Sequence, residues 1–585
     1  VEKGIVPDFY NIKFLYKGAP SNLKIDSYTP DAAYCYMGER IKDKNVKSIA
    51  LTLYDKYHTY KFKLGAENID KIEIWQNSML DKAIEFKSIK INNKELLSSK
   101  QVVSADEKFE YKLLSENSIY NIEITCKRKI LNYEHPFKIH NGIVFTLLFL
   151  FYYAFGLRLF LNIASIKNIT SFLKKYKVEI IILILFFSVY ALYNFKAALL
   201  VNHFNRPMQS WNSPYWISGD ALIVIRDIFC AESKQFHPYF FLPLYPLYEF
   251  LMFISKGNLY FSLSIIWCFL GSLSCVFLYK TLNLIIPKLK VIKTIILLCF
   301  IFTLSQLLMS YIFDLYIIAG CYLSVCIYLI FKELKNKEYN FSNILLIILI
   351  CAFIFGVNMV NIITCLIVIS SLFLVKKNKK TAILFLLALF LLISFFTLIK
   401  AATDEGETFK SLTMDASKMQ KYIKTDIALN YDYFKKETIL NPLIYSNKPI
   451  TNPALIFWAL FVLTTVFASY LYLSNKAKDD NKALYFSLLA AILYNFCANF
   501  FWCPKMGFLF SQNFLVLLFI IMAMSINNIN SYLKTKKYSN CFKYSLIICL
   551  SVLLFFEITL NTKTVLRQHN NAIKYNPQNL LLEKR

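Results

Sequence analysis

Asp220, Arg226, Asp227, Glu232 and His237 fall within eighteen residues of one another, in WNSPYWISGDALIVIRDIFCAESKQFHPYFFLPLYPLYEF at 211–250. A carboxylate in such a loop serves as a general base on an acceptor hydroxyl, or holds a divalent cation, Mg or Mn, against a phosphate. Asp220 is the first candidate for both roles. Asp227 follows seven residues later, and two helical turns put the two carboxylates on one face. Arg226 pairs with either acid or with a phosphate. Glu232 and His237 are further substrate-binding candidates. The plain alternative is a set of solvated loop acids.

That polar cluster stands in an apolar chain. Of the 585 residues, 57% are hydrophobic, and the mean hydropathy is +0.45. Apolar runs of about 20 residues recur over the last three quarters, which predicts a polytopic membrane protein. The net charge of +27 resides largely in lysines between the apolar runs. That is the positive-inside pattern rather than a nucleic-acid footprint, so nucleic acid is not an expected partner. Most of the 14 cysteines lie inside apolar runs, where they behave as small hydrophobes. No CxxC or Cys/His spacing suggests a metal site. No P-loop or GxGxxG follows a strand, which argues against a nucleotide-using domain.

Residues 1–135 read differently. SIALTLYDKY, KIEIWQN, EFKSIKINN and IYNIEITCKRK alternate with period two between polar breaks, which predicts an N-terminal β-sandwich. Cys35 and Cys126 in it are either a pair or two free thiols. Beyond it, spans are expected at 140–163, 178–200, 258–280, 293–310, 314–332, 342–356, 359–375, 381–399, 454–474, 483–500 and 507–526, with a twelfth at 544–560. The segment 239–255 is also apolar but carries Pro243, Pro246 and Glu249. It reads as a helix that dips into one leaflet.

Lysines set the orientation. The connections at 165–177, 280–293, 332–337, 376–380, 476–482 and 534–543 are basic, whereas 310–314, 356–361 and 502–507 hold one lysine between them. The basic set is expected in the cytoplasm. The loops 201–257 and 401–453 and the β-sandwich then lie outside, and export of that domain predicts a signal anchor or helix before Val1. The domains expected are the sandwich at 1–135, a catalytic membrane module at 136–400, an outer loop at 401–453, and helices with a tail at 454–585. The loop 401–453 is either a lid over substrate or simply solvated. Lys505, at the outer end of the helix 507–526, either neutralises a carrier phosphate or snorkels. The high Lys, Asn and Ile content suggests an AT-rich bacterial genome, and the bacterial inner membrane is the expected location.

FFLPLYPL at 240–247, behind an outer-loop Asp and ahead of a helix that ends in a basic loop, resembles the GT-C glycosyltransferase superfamily. It is similar to the second mannosyltransferase family of GPI synthesis, and to the protein O-mannosyltransferase and lipid A aminoarabinose transferase families. The resemblance covers roughly 178–400. It implies a sugar donor on a polyprenyl-phosphate carrier, used on the outer face, with Asp220 as the first-loop catalytic acid. It also implies Asp314, in MSYIFDLYIIAG, as an acid at a helix mouth, and Tyr245 as part of the substrate-binding segment. A dipole-favoured acid is the other reading of Asp314. Gly219-Asp220 followed by Ala221 replaces the families' usual acid pair, and Leu242-Pro243 replaces a double proline.

The expected function is therefore transfer of a sugar from that carrier to a lipid, glycan or protein acceptor. Asp220, Asp227 and Asp314 are the catalytic candidates, and Arg226, Glu232, His237, Tyr245 and Lys505 the substrate-binding ones. The competing classes are a carrier-lipid or polysaccharide transporter, a non-enzymatic assembly protein working through its sandwich, and a glycan polymerase or ligase.

Overall fold

The helix Gln512–Thr535 is apolar on every side from Phe514 to Met524, and all its side chains from Phe514 to Ile526 are buried. A helix with no polar face belongs at the centre of a bundle, and here it is the axis of the membrane part. The computed structural model describes ten strands between 9 and 130, Tyr57 and the turn at 92–93, then 166–198, 244–254 and 259–310. It further describes 315–336, 339–357, 361–376, 379–403, 431, 434–444, 452–474, 481–501 and 511–567. The chain divides into two units, 1–138 with 199–231 and 569–585, and 139–198 with 232–568.

The strands of the first unit are β1 Phe9–Tyr16, β2 Ala32–Ile41, β3 Lys44–Thr52, β4 His58–Gly65 and β5 Ile69–Trp75. Then follow β6 Lys82–Ile91, β7 Lys94–Leu97, β8 Gln101–Val103, β9 Lys108–Lys112 and β10 Ile119–Ile130. They form two antiparallel sheets, ordered β2-β3-β1-β5-β9 and β4-β10-β6-β7, with β8 also on β6. The alternating runs predicted from sequence coincide with β3, β5, β6 and β10. Asn92 and Asn93 both have positive φ, 48° and 65°. Such a two-residue turn matches strand twist and closes the β6–β7 hairpin. Phe86 and Ile89 are both buried although three residues apart. Strict alternation would put them on opposite faces. A register shift against β10 at Thr125/Cys126 inserts the extra residue that returns both to one face.

The second unit contains α1 Ile166–Lys175, α2 Lys177–Ala198, α3 Tyr245–Ile254, α4 Leu259–Ile285 and α5 Lys290–Phe302. Next come α6 Leu304–Met309, α7 Leu315–Lys335, α8 Phe341–Val357, α9 Asn361–Lys376 and α10 Lys379–Thr403. The last are α11 Ala454–Leu473, α12 Lys482–Phe501, α13 Gln512–Thr535 and α14 Ser539–Phe556. Six stretches among the described residues are long and apolar enough to cross a membrane, on α4, α7, α11, α12, α13 and from α14 to Arg567. Large apolar side chains on α10 and α11 are exposed, among them Leu384 at 66%, Phe390 at 68% and Leu463 at 69%. Water would not tolerate such faces on a folded bundle, whereas lipid does. The protein is a helical membrane protein.

These helices overlap the expected spans, apart from the span at 140–163, which lies outside the described residues. Six of the expected crossings are carried by stretches long and apolar enough to span, while α8, α9 and part of α10 are shorter apolar helices. One expectation is corrected. The run 293–310, expected as a single helix, is broken at Thr303, whose ψ is 144°. The described part of α3 is ten residues, about 15 Å at 1.5 Å per residue, half the hydrocarbon thickness. That length suits a dipping helix. Between α13 and α14, Lys537 takes φ 63°. The Tyr538 amide bonds the Leu533 carbonyl and the Lys537 amide that of Lys534, a Schellman stop that reverses the chain.

Candidate functional site

The break at Thr303 organises the most polar part of the membrane interior. Thr303-Leu304-Ser305-Gln306 is a T-x-x-Q capping sequence, and the Thr303 hydroxyl accepts from the Gln306 amide at 3.3 Å. The next amides are satisfied from outside the helix. Leu304 N–H donates to the Leu443 carbonyl at 3.0 Å, and Ser305 N–H to the Pro442 carbonyl at 2.9 Å. Asn441 to Ile444, just after a π-helical stretch at Phe434–Leu440, form a fully buried non-helical turn. Non-helical backbone survives at membrane depth only where protein supplies its hydrogen bonds. Asn561 supplies two, donating to the Phe302 carbonyl at 2.8 Å and the Leu443 carbonyl at 2.7 Å. Asn452 holds the Ile444 carbonyl at 2.9 Å, and the Trp458 indole that of Ile439 at 2.7 Å.

Around this break the polar side chains face one another. Gln306 donates to the Gly271 carbonyl at 3.1 Å and to Ser274 Oγ at 3.0 Å. Ser305 and Ser511 hydroxyls are 2.6 Å apart, and Gln512 donates to Ser305 at 3.0 Å. Asn361 donates to Asn513 at 2.9 Å. Gly271 is required here, because a Cβ at that position would come within 2.2 Å of Ser310 Oγ. The cluster joins α4, α6, α9 and α13, and α6, α9 and α13 enter it at the ends remote from the lysine-rich connections.

Hydrogen bonding in this region is incomplete. Gln306 Oε1 and Thr438 Oγ1 are buried without a partner, and so are both oxygens of Glu557. Glu557 is wholly buried at the start of a second π-helical stretch, Glu557–Asn561, with the Cys299 thiol set against it. π-Helical turns inside α-helices recur at functional sites, and a buried unsatisfied polar group in a native fold calls for an explanation.

No protein-family model and no curated protein sequence matches this chain. The site is therefore read on its own chemistry. Asp220, Arg226, Asp227, Glu232, His237, Asp314 and Lys505 all lie outside the described residues. Tyr245 opens α3, with its side chain outside the described set. The cysteines Cys35 and Cys126 fall in β2 and β10, in different sheets.

Sequence reasoning passed over Gln306, Asn561 and Glu557. Two of them left a readable signal. Glu557 is the sole acid in SNCFKYSLIICLSVLLFFEITLN, and an acid within a spanning segment is a functional candidate by default. The T-L-S-Q box forecasts a helix start inside the run expected to be continuous.

Proposed function

We propose that this protein is a membrane glycosyltransferase of the GT-C type. It moves a sugar from a polyprenyl-phosphate carrier to a lipid, glycan or protein acceptor on the outer face of a bacterial inner membrane. The observation that supports the reading best is the polar, broken-helix cluster at Thr303. By the positive-inside rule its end of the bundle faces outward, where such a carrier presents its head group. Asp314 and Lys505 belong to the same unit. Asp314 follows Ser310 by four residues and Lys505 precedes Ser511 by six. Chain length alone holds them within about 14 Å and 21 Å of those residues.

In this reading the acceptor hydroxyl attacks the anomeric carbon, its proton passes to Asp220, and the carrier phosphate leaves. Phosphate leaves readily, so one base with cationic stabilisation from Arg226 and Lys505 suffices. Asp227 and Asp314 support the base, and Glu232, His237 and Tyr245 line the substrate path. A divalent cation, Mg or Mn, at Asp220 is part of the proposal, and loss of transfer on chelation tests it. The two N-terminal sheets stack as an outer β-sandwich that docks acceptor.

The deciding experiment gives radiolabelled polyprenyl-phosphate sugars to membranes carrying wild type or Asp220→Asn at matched expression. Wild type is expected to transfer sugar and release carrier phosphate. Removing a general base is expected to slow transfer by about 10²–10⁴-fold. Full activity in Asp220→Asn rejects the role given to that residue. A second reading, a carrier-lipid transporter, is favoured by the helix break and the buried Glu557, since transporters place such features at their ion and substrate sites. Carrier movement across the bilayer without sugar transfer would select it.

A further inference from the structure

Cys326 on α7, Cys351 on α8 and Cys365 on α9 come from three helices, yet all their sulfur atoms lie within 4.8 Å of one another. All three are buried, at 1%, 0% and 1% exposure. Their separations in sequence match no metal-binding spacing, so only the packing of α7, α8 and α9 brings them together. A metal–sulfur bond of about 2.3 Å in a trigonal arrangement needs sulfurs about 4 Å apart. The cluster reaches that spacing with a contraction of under about 1 Å per pair.

The donor set narrows the ligand. Three sulfurs without oxygen or nitrogen donors select a soft ion. Zinc in a closed protein site takes four ligands, and no fourth His, Cys, Asp or Glu joins this group among the described residues. Cu(I) is soft and is satisfied by a three-thiolate shell, whereas a closed zinc site lacks its fourth ligand among the described residues.

We propose that Cys326, Cys351 and Cys365 form a buried three-sulfur site for Cu(I). On binding, three copper–sulfur bonds form, the three S–H bonds break, and their three protons leave to water. Nothing is oxidised or reduced. The site is independent of the sugar-transfer reading.

The test uses the full chain in lipid nanodiscs under anaerobic conditions, with the exposed Cys497 and Cys541 replaced by Ser. Cu(I) is titrated against a chromophoric chelator while a dye reports released protons. The expected result is one Cu(I) bound with three protons released, and three sulfur neighbours by X-ray absorption. Cys351→Ser and Cys365→Ala should each weaken binding by at least about tenfold, since even second-shell losses cost that much. Fewer than three sulfurs, nitrogen or oxygen in the shell, zinc binding as tight as Cu(I), or unchanged affinity in Cys351→Ser would overturn the proposal. Should Cys351→Ser fail to fold, Cys326→Ala replaces it, and the absorption spectrum of the parent protein still decides.

Discussion

Among the described residues two glutamates are wholly buried in the bundle, and their surroundings are opposite. Glu333, in the last turn of α7, accepts from the Asn340 amide at 2.7 Å, Asn343 at 2.8 Å, Asn336 at 3.1 Å and Lys376 at 3.5 Å. Lys376 is in turn held over the Tyr339 ring, 4.4 Å from its centroid. Glu557 has only the weak donor of the Cys299 thiol set against it, and no other hydrogen-bond partner among the described residues. Glu333 sits at the lysine-rich end. Glu557 lies eighteen residues into the outgoing α14 and its π-helical extension, about 27 Å along at 1.5 Å per residue. Burying a carboxylate costs several kcal/mol unless partners compensate. At the lysine-rich end the partners are present, and the network locks α7, α8 and α9 together. At the other end the fold tolerates the cost, together with a broken helix and a buried non-helical turn. A satisfied network is a structural device, whereas unsatisfied groups beside irregular backbone are the ones that call for a functional explanation.

Substitutions at the two ends should separate accordingly. Glu333→Ala should have the largest effect on stability, about 3–5 kcal/mol, because it strands the Lys376 charge and three further donors. Thermal unfolding in detergent measures it. A loss under about 1 kcal/mol would reduce Glu333 to a surface-like ion pair and remove the contrast. Asn561→Leu should follow at about 1–3 kcal/mol, because it removes the side-chain donor from the Phe302 carbonyl and one of the two donors from the Leu443 carbonyl. It should also loosen the 441–444 turn, read as faster proteolysis in the segment 404–453.

How much of this was visible in the sequence depended on the kind of interaction. Helix limits were readable because length, apolar runs and lysine-rich ends are local signals, as in α11 and α12, though α13 lies five residues later at its start and nine at its end than its apolar run suggested. The β6 strand was readable from alternation, although the four-residue β7 was not, nor was the bulge that aligns Phe86 with Ile89, since it depends on register with β10. The tertiary site was least visible. Thr303 sits in a run apolar enough to be read as one helix, and the capping box alone carried the break. The carbonyls that make the break affordable come from residues 442 and 443, more than 130 positions away. The cysteine cluster was hidden for the same reason, because each thiol alone is an ordinary small hydrophobe.

The smallest expected effect on stability decides most. Glu557→Gln keeps the shape of the side chain and removes no hydrogen bond, so stability should change by less than about 1 kcal/mol. Sugar transfer from the polyprenyl-phosphate carrier should nevertheless fall, and measuring both on one preparation distinguishes the outcomes. Unchanged stability with at least a tenfold loss of transfer would place Glu557 with the functional groups around Thr303. Equal retention of both would make it a tolerated defect of packing. A large loss of stability would mean that Glu557 has partners of its own and is a second Glu333, and the end of the bundle holding Thr303 would lose the feature that distinguishes it.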